Sequence, residues 1–261
     1  MRLETAIADL IATAAPETEG GILAFLPGEG EIRRTAASLQ ILLPADFRIL
    51  PLYGAMPFAA QTDALTPAPP GIRHVILATA IAETSLTLPG IRVVIDGGRA
   101  RRARFDPASG MSRLVTERVT RAEAEQRRGR AGRIAEGLCY RMWTKGEEGA
   151  LAAFPPPEIA SGDLTGLALE LALWGGPQGL RFLTPPPEAE LAEARALLAD
   201  LGALDDTGRI TAHGRQIAAL PLHPRLAHML EVAGLQAAAL AALLADRDPL
   251  RGAGADLMLR L

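Results

Sequence analysis

Eight residues, Gln126–Arg133, read QRRGRAGR and place Arg127, Arg128, Arg130 and Arg133 within seven positions, interrupted by Gly129 and Gly132. The surrounding pattern predicts a helix over Arg121–Ala131. Three-residue spacing then sets Arg130 and Arg133 on one face, with Gln126 one turn earlier on nearly the same face. Each glycine costs a helix about 1 kcal/mol against alanine, a cost that points to something approaching the backbone closely. Guanidinium groups neutralise phosphate oxygens two at a time, and an amide can orient a water molecule. The set suits the end of a phosphate chain. A solvated arginine-rich helix face is the competing reading.

A second basic feature lies just before it. Arg99–Phe105 and Arg113–Val119 flank Asp106-Pro107-Ala108-Ser109-Gly110, which is turn chemistry between alternating segments and predicts a β-hairpin. From Arg99 to Arg133 there are eleven arginines against Asp106, Glu117, Glu123 and Glu125. The hairpin's share, Arg101 and Arg102 among them, could face a nucleic-acid backbone with salt-dependent affinity, or stay solvated in a mixed charge pattern.

The elements that must hold these residues alternate. Short apolar strands are predicted at Gly21–Leu26, Phe47–Leu52, His74–Ala78, Ile91–Ile95 and Gly137–Trp143. Helices are predicted at Met1–Leu10, Glu29–Leu43 and Phe58–Leu65. Apolar strands separated by helices indicate a parallel α/β sheet covered on both faces. After Phe154-Pro155-Pro156-Pro157 the pattern turns helical, at Leu164–Trp174, Glu188–Leu201, Ala212–Leu220 and Arg225–Ala245. Between the second and third of these, Asp205-Asp206-Thr207-Gly208 forms a tight turn between short apolar pieces, as in a winged-helix domain. The divisions expected are 1–149, 150–222 and 223–261, the last being the start of a helical bundle.

Composition narrows the classes. With 49% apolar residues and a net charge of −3, the chain is too apolar and too nearly neutral for disorder. Cys139 is the single cysteine, so no disulfide forms within the chain. It reads as a small buried hydrophobe on a strand. The histidines show no zinc spacing, no apolar run reaches membrane-spanning length, and a cytoplasmic location is expected. Trp143 and Trp174 read as core or domain-interface anchors, and His213, His223 and His228 as structural or exposed.

The full QRRGRAGR pattern resembles motif VI of superfamily 2 helicases, and ATAIAETSLT (Ala78–Thr87) resembles motif V of their DEAH/RHA branch. FLPGEGEI (Phe25–Ile32) resembles motif IV, PLYGAMP (Pro51–Pro57) the loop that follows it, and VVIDGG (Val93–Gly98) the tail of motif V. In order and spacing these resemble the HrpB-type ATP-dependent helicases over essentially the whole chain. The resemblance implies a RecA-like domain followed by a winged helix and the start of a helical bundle. It implies that Arg130 and Arg133 are arginine fingers reaching the γ-phosphate of ATP and that Gln126 helps orient the attacking water. It implies that Thr87 lies near the ribose and that Ser85 links nucleotide state to motif V. Thr79 would touch single-stranded nucleic acid, RNA by the family, and Gly28 and Gly54 would sit in loops that approach its backbone.

Three departures stand out. Pro89 occupies a position where many relatives carry an acidic ribose holder, Ala80 one where asparagine is frequent, and Leu65 roughly that of an adenine-stacking aromatic. All three point to loose discrimination among nucleotides. No G-x-x-x-x-G-K-[ST] and no DEAH box occur, and Lys145 is the only lysine. The expectation is that a first RecA-like domain preceding this chain holds the phosphates and Mg²⁺, and that this chain alone does not hydrolyse ATP. Two rival classes are a non-enzymatic nucleic-acid-binding module and a purely structural α/β protein with Arg130 and Arg133 pointing apart.

Overall fold

The computed structural model describes residues 2–84, 86–106, 111–133, 135–246, 248, 250 and 254–261, with the backbone alone at Met111. The chain forms two compact units, residues 1–103 with 113–156, and residues 104–112 with 157–261.

The first unit is built on five strands: β1 (Gly21–Phe25), β2 (Phe47–Leu52), β3 (Arg73–Ala78), β4 (Ile91–Asp96) and, later in the chain, β7 (Leu138–Arg141). Their order across the sheet is β2-β3-β1-β4-β7, all parallel. β1, β3 and β4 are buried almost throughout, which is why they read as unbroken apolar runs rather than alternating ones.

One sheet face is covered by α1 (Leu3–Ala14) and α2 (Glu29–Leu42), with Ile7, Ile11, Ile32 and Leu39 packed on Ile22, Val75 and Val93. The opposite face carries α3 (Phe58–Leu65), Ala82 and Leu88 of the long β3–β4 connection, and Ala131, packed on Leu23, Phe25, Ile76 and Val94. Strand pair β5 (Arg99–Asp106) and β6 (Met111–Arg118) forms a separate two-stranded ribbon. Residues 107–110 of its predicted turn lie outside the described residues.

α4 (Arg121–Arg128) begins at a capping box in which Thr120 accepts from the Glu123 amide and Glu123 accepts from the Thr120 amide. It ends three residues before the predicted Ala131. Arg130 N–H and Ala131 N–H bond three residues back, to Arg127 and Arg128 carbonyls, so the chain tightens into turns at Gly129. Short α5 (Lys145–Gly149) follows β7.

The second unit contains α6 (Thr165–Trp174), α7 (Glu188–Asp200), α8 (Ala212–Ala218), α9 (Pro224–Ala233) and α10 (Ala238–Ala245). Leu169, Leu171, Leu198 and Ile217 centre its core. An antiparallel bridge, Leu204 to Ile210, closes the wing, whose turn is fixed by Asp205 accepting from the amides of Thr207 and Arg209. The predicted helix Arg225–Ala245 is broken at Gly234, whose φ of +69° with ψ of −162° is a backbone conformation open to glycine and incompatible with a helix, and a 3₁₀ turn links its halves. The stretch Pro224–Ala245 is nevertheless long and apolar enough to cross a membrane by length and composition, contrary to the sequence expectation. It carries Arg225, His228 and Glu231, and Ala227 is buried in the helical core.

Candidate nucleotide and nucleic-acid site

The parallel topology gathers several expected residues at one edge of the sheet. Gly28 follows β1, Gly54 follows β2 and Thr79 follows β3, so all three sit at the carboxyl ends of parallel strands, where open α/β sheets bind ligands. Backbone bonds tie the three connections together: Leu26 N–H donates to Ala78 O at 2.8 Å and Thr79 N–H to Leu52 O at 3.2 Å. Thr79 is half-buried and caps a 3₁₀ turn, Ala80–Ala82, while Ala80 itself is exposed.

Gly54 is exposed, and a Cβ there would meet nothing within 4 Å. The packing of this chain therefore does not require glycine at that point. At Gly28 a Cβ would lie 2.2 Å from Arg101 Nη1. That is the flexible tip of a long side chain, so the crowding is relieved if Arg101 swings away. Arg101 donates to Glu31 Oε1 at 3.2 Å and lies 3.4 Å from Thr116 Oγ1, leaving its guanidinium over the Gly28 loop.

Arg102 is placed differently from its expected role. Its guanidinium is largely buried, binds both oxygens of Glu123 at 2.5 and 2.6 Å and reaches Glu117 at 3.0 Å. It ties the ribbon to the first turn of α4. Alternation in β5 turns Arg101 and Arg102 to opposite sides, and the Arg102 side faces protein. Arg118 also pairs, with Glu147 at 2.6 Å. The local arginine surplus is thus partly spent on internal ion pairs.

Below this edge lies the residue that the sequence reading passed over. Arg127 is 1% exposed, the largest of the fully buried side chains. Its Nε donates to Glu83 Oε1 at 2.7 Å, Nη1 to Asp96 Oδ1 at 2.7 Å and to Arg99 O at 3.3 Å, and its guanidinium stacks 4.8 Å over the Phe25 ring. Burial opposes its charge, yet Asp96 and Glu83 outweigh burial and raise its pKa. With two carboxylates sharing one cation, burial keeps the Glu83 carboxyl raised despite Arg127. One cation thereby joins α4, the end of β4 and the β3–β4 connection. The signal available in sequence was Asp96, a charge closing the apolar run Val93–Ile95 of a buried strand, which demands a buried partner.

Arg130 emerges from the turn after α4 and is 4% exposed. Its Nε donates to Glu83 O at 2.9 Å and its Nη1 to Leu86 O at 2.5 Å. No carboxylate pairs with it among the described residues. Burial lowers its pKa, and repulsion from Arg133 lowers it further, so the two guanidiniums share one electrostatic neighbourhood. Arg133, Thr87 and Gln126 are exposed, and Ser85 lies outside the described residues. Arg130 is therefore carried by a turn held against the β3–β4 connection, and not by a helix that continues to Arg133.

That turn is fixed from its other end by Gly137. A Cβ there would lie 2.3 Å from Ala131 O and 2.7 Å from Arg92 O, both rigid backbone. Gly132 has nothing within 4 Å of where a Cβ would sit. Of the remaining expectations, Trp143 packs beside Ala100, Val119, Ala124 and Leu151. Trp174 is 75% exposed and is no core anchor, because it falls on the outer face at the end of α6. Cys139 is half-buried, and burial raises its thiol to about 11. His213 Nε2 contacts His228 Nδ1 at 2.9 Å, and His223 Nε2 contacts Asp163 Oδ2 at 2.7 Å, so these histidines link helices.

Comparison with known proteins agrees with this geometry. Residues 5–135 match the helicase conserved C-terminal domain, and residues 194–222 match the helicase associated domain (HA2), winged-helix. The chain is 45% identical over 231 residues to ATP-dependent RNA helicase HrpB of Escherichia coli, covering 88% of this chain and 28% of that protein. It is 39% identical over 219 residues to the probable ATP-dependent RNA helicase DHX34 of Homo sapiens, covering 82% of this chain and 19% of that one. The crystal structure of the Escherichia coli DEAH/RHA helicase HrpB superposes with a TM-score of 0.92 at 42% identity, over 100% of this chain and 34% of that one. The chain thus spans about a third or less of the length of these relatives. Its RecA-like parallel sheet and its winged-helix region are those of the helicase conserved C-terminal domain family, DEAH/RHA branch, to which it belongs.

Proposed function

We propose that this chain is the arginine-bearing half of an ATP-driven RNA helicase motor. Arg130 and Arg133 stabilise charge on the terminal phosphate, Gln126 orients the attacking water and Thr87 borders the ribose. The observation that carries the reading is the state of Arg130: buried, fixed by two backbone carbonyls, unpaired with any described carboxylate and repelled by Arg133. A positive charge held in that way gains most from an arriving anion. Bound ATP supplies phosphoryl-transfer energy. The residues of this chain recognise its charge and relay its presence through Glu83 and Arg127 to the sheet edge bearing Thr79, Gly28, Gly54 and Arg101, where single-stranded RNA would lie.

The phosphate-cradling loop and the Mg²⁺ site belong, in this reading, to a preceding RecA-like domain, so the chain by itself does not turn over ATP. Residues 1–149, 150–222 and 223–261 would act as RecA-like, winged-helix and bundle modules of a cytoplasmic enzyme. Mixing the chain with a separately expressed P-loop domain should give RNA-stimulated ATPase activity that vanishes in Arg133→Ala. Association of the two domains without turnover under any nucleic acid would favour a binding module that kept the motor's shape.

A further inference from the structure

The second unit holds a groove of about 550 Å³ between α6, α7 and the wing, remote in sequence from every residue assigned above. Its floor is apolar, with Ala168, Leu171, Leu204 and Ile210. Three arginines line it: Arg195 from α7, Arg209 from the wing and Arg215 from α8. None of the groove's lining residues is acidic. Residues 157–261 hold thirteen carboxylates against eight arginines, so composition alone would have placed acid here. Arg209 lies in the field of Asp205, but the side chains of Arg195 and Arg215 have no ion-pair or hydrogen-bond partner among the described residues. One wall is backbone: Gly175 and Gly176 turn at φ +104° and +117° and present no side chain.

We propose that this groove docks an acidic segment of another protein, with leucine-like side chains on the floor and carboxylates on Arg195, Arg209 and Arg215. Arginine forks are suited to paired carboxylates, and an apolar floor adds burial that a phosphodiester backbone would not use. No aromatic side chain lines the groove to stack a base, which sets it apart from a single-strand nucleic-acid channel. The inference is independent of the ATP-site reading.

The test is fluorescence anisotropy of the 261-residue chain with fluorescein-labelled peptides of about twelve residues, three helical turns, built from Glu, Asp and Leu with leucines three and four apart. Saturable binding is expected, with amide NMR shifts at Arg195, Thr207, Gly208 and Arg215. Arg195→Glu with Arg215→Glu should weaken it about tenfold or more while leaving the melting temperature and the reconstituted RNA-stimulated ATPase unchanged. Absence of binding by any of these peptides would overturn the proposal. So would a uridine oligonucleotide that binds the same residues in preference to them. Binding by this chain but not by a protein of the relatives' full length would overturn it in favour of closure by the rest of the same polypeptide.

Discussion

Arg127 holds a different rank from its neighbours in QRRGRAGR. It is a buried cation serving two carboxylates, so its removal strands Glu83 and Asp96 without charge compensation. Arg127→Ala is expected to cost about 3–5 kcal/mol in urea unfolding, and lysine should not rescue it, because one ammonium cannot reproduce the fork that reaches Glu83 and Asp96 together. A loss under about 1 kcal/mol would show that the cluster is not what joins α4 to β4. Arg133 should behave in the opposite way. It is exposed, so Arg133→Ala should leave stability within about 0.5 kcal/mol while reducing reconstituted turnover by about 10³ or more. The three departures are also residue-scale. Pro89 is half-buried, Ala80 is exposed and Leu65 packs on the sheet, and none of the three carries the carboxylate, amide or aromatic ring that would hold a sugar or a base. Comparable kcat/KM for ATP, GTP, CTP and UTP is expected in the full-length protein, and a strong preference for ATP would refute that.

At the scale of the element, the QRRGRAGR segment is a helix end followed by a turn, and Gly132 within it differs in purpose from Gly137 beyond it. Gly137, at the start of β7, lets two backbone carbonyls come closer than any side chain permits. Gly137→Ala should destabilise the fold by several kcal/mol, since rigid backbone must move. Gly132 faces open space, so Gly132→Ala should leave the melting curve unchanged. If that variant nonetheless lowers turnover with the partner domain, the close approach served by Gly132 comes from outside this chain. Thermal denaturation of both variants beside the coupled ATPase assay separates the two roles. Gly132 stood out within the motif; Gly137, outside it, did not. The crowding at Gly137 is tertiary in part: Ala131 O meets it across the turn, and Arg92 O, far away in the chain, closes on the same point.

At the scale of the molecule, the helical unit is fastened by a small polar latch. Asp163 accepts from the Thr165 amide and hydroxyl through one oxygen and from His223 through the other, while His223 Nδ1 accepts from the Arg225 amide. Burial alone would raise the Asp163 carboxyl. The bonds from His223 and Thr165 outweigh burial and bring it down to about 2. A depressed carboxyl contributes stability above its unfolded value near 3.8 and loses it as pH falls towards 2. Unfolding measured across that window should therefore be acid-sensitive, and Asp163→Asn should flatten the pH dependence. An unchanged slope would remove Asp163 from the account.

Sequence by itself determined the element order, since period and run length depend only on neighbouring residues. The predicted strand Phe47–Leu52 and helix Phe58–Leu65 match the structure residue for residue. It also determined the family, because QRRGRAGR and ATAIAETSLT are local strings. Tertiary structure decided which arginine does what. Arg127, Arg130 and Arg133 are one residue type in one short run, yet one is sealed beneath the sheet edge, one is pinned to carbonyls and one is exposed. Their partners, Glu83, Leu86 and Asp96, lie more than thirty positions earlier in the chain. Burial and charge compensation are set by what folding brings across that distance, and no spacing within the run encodes it.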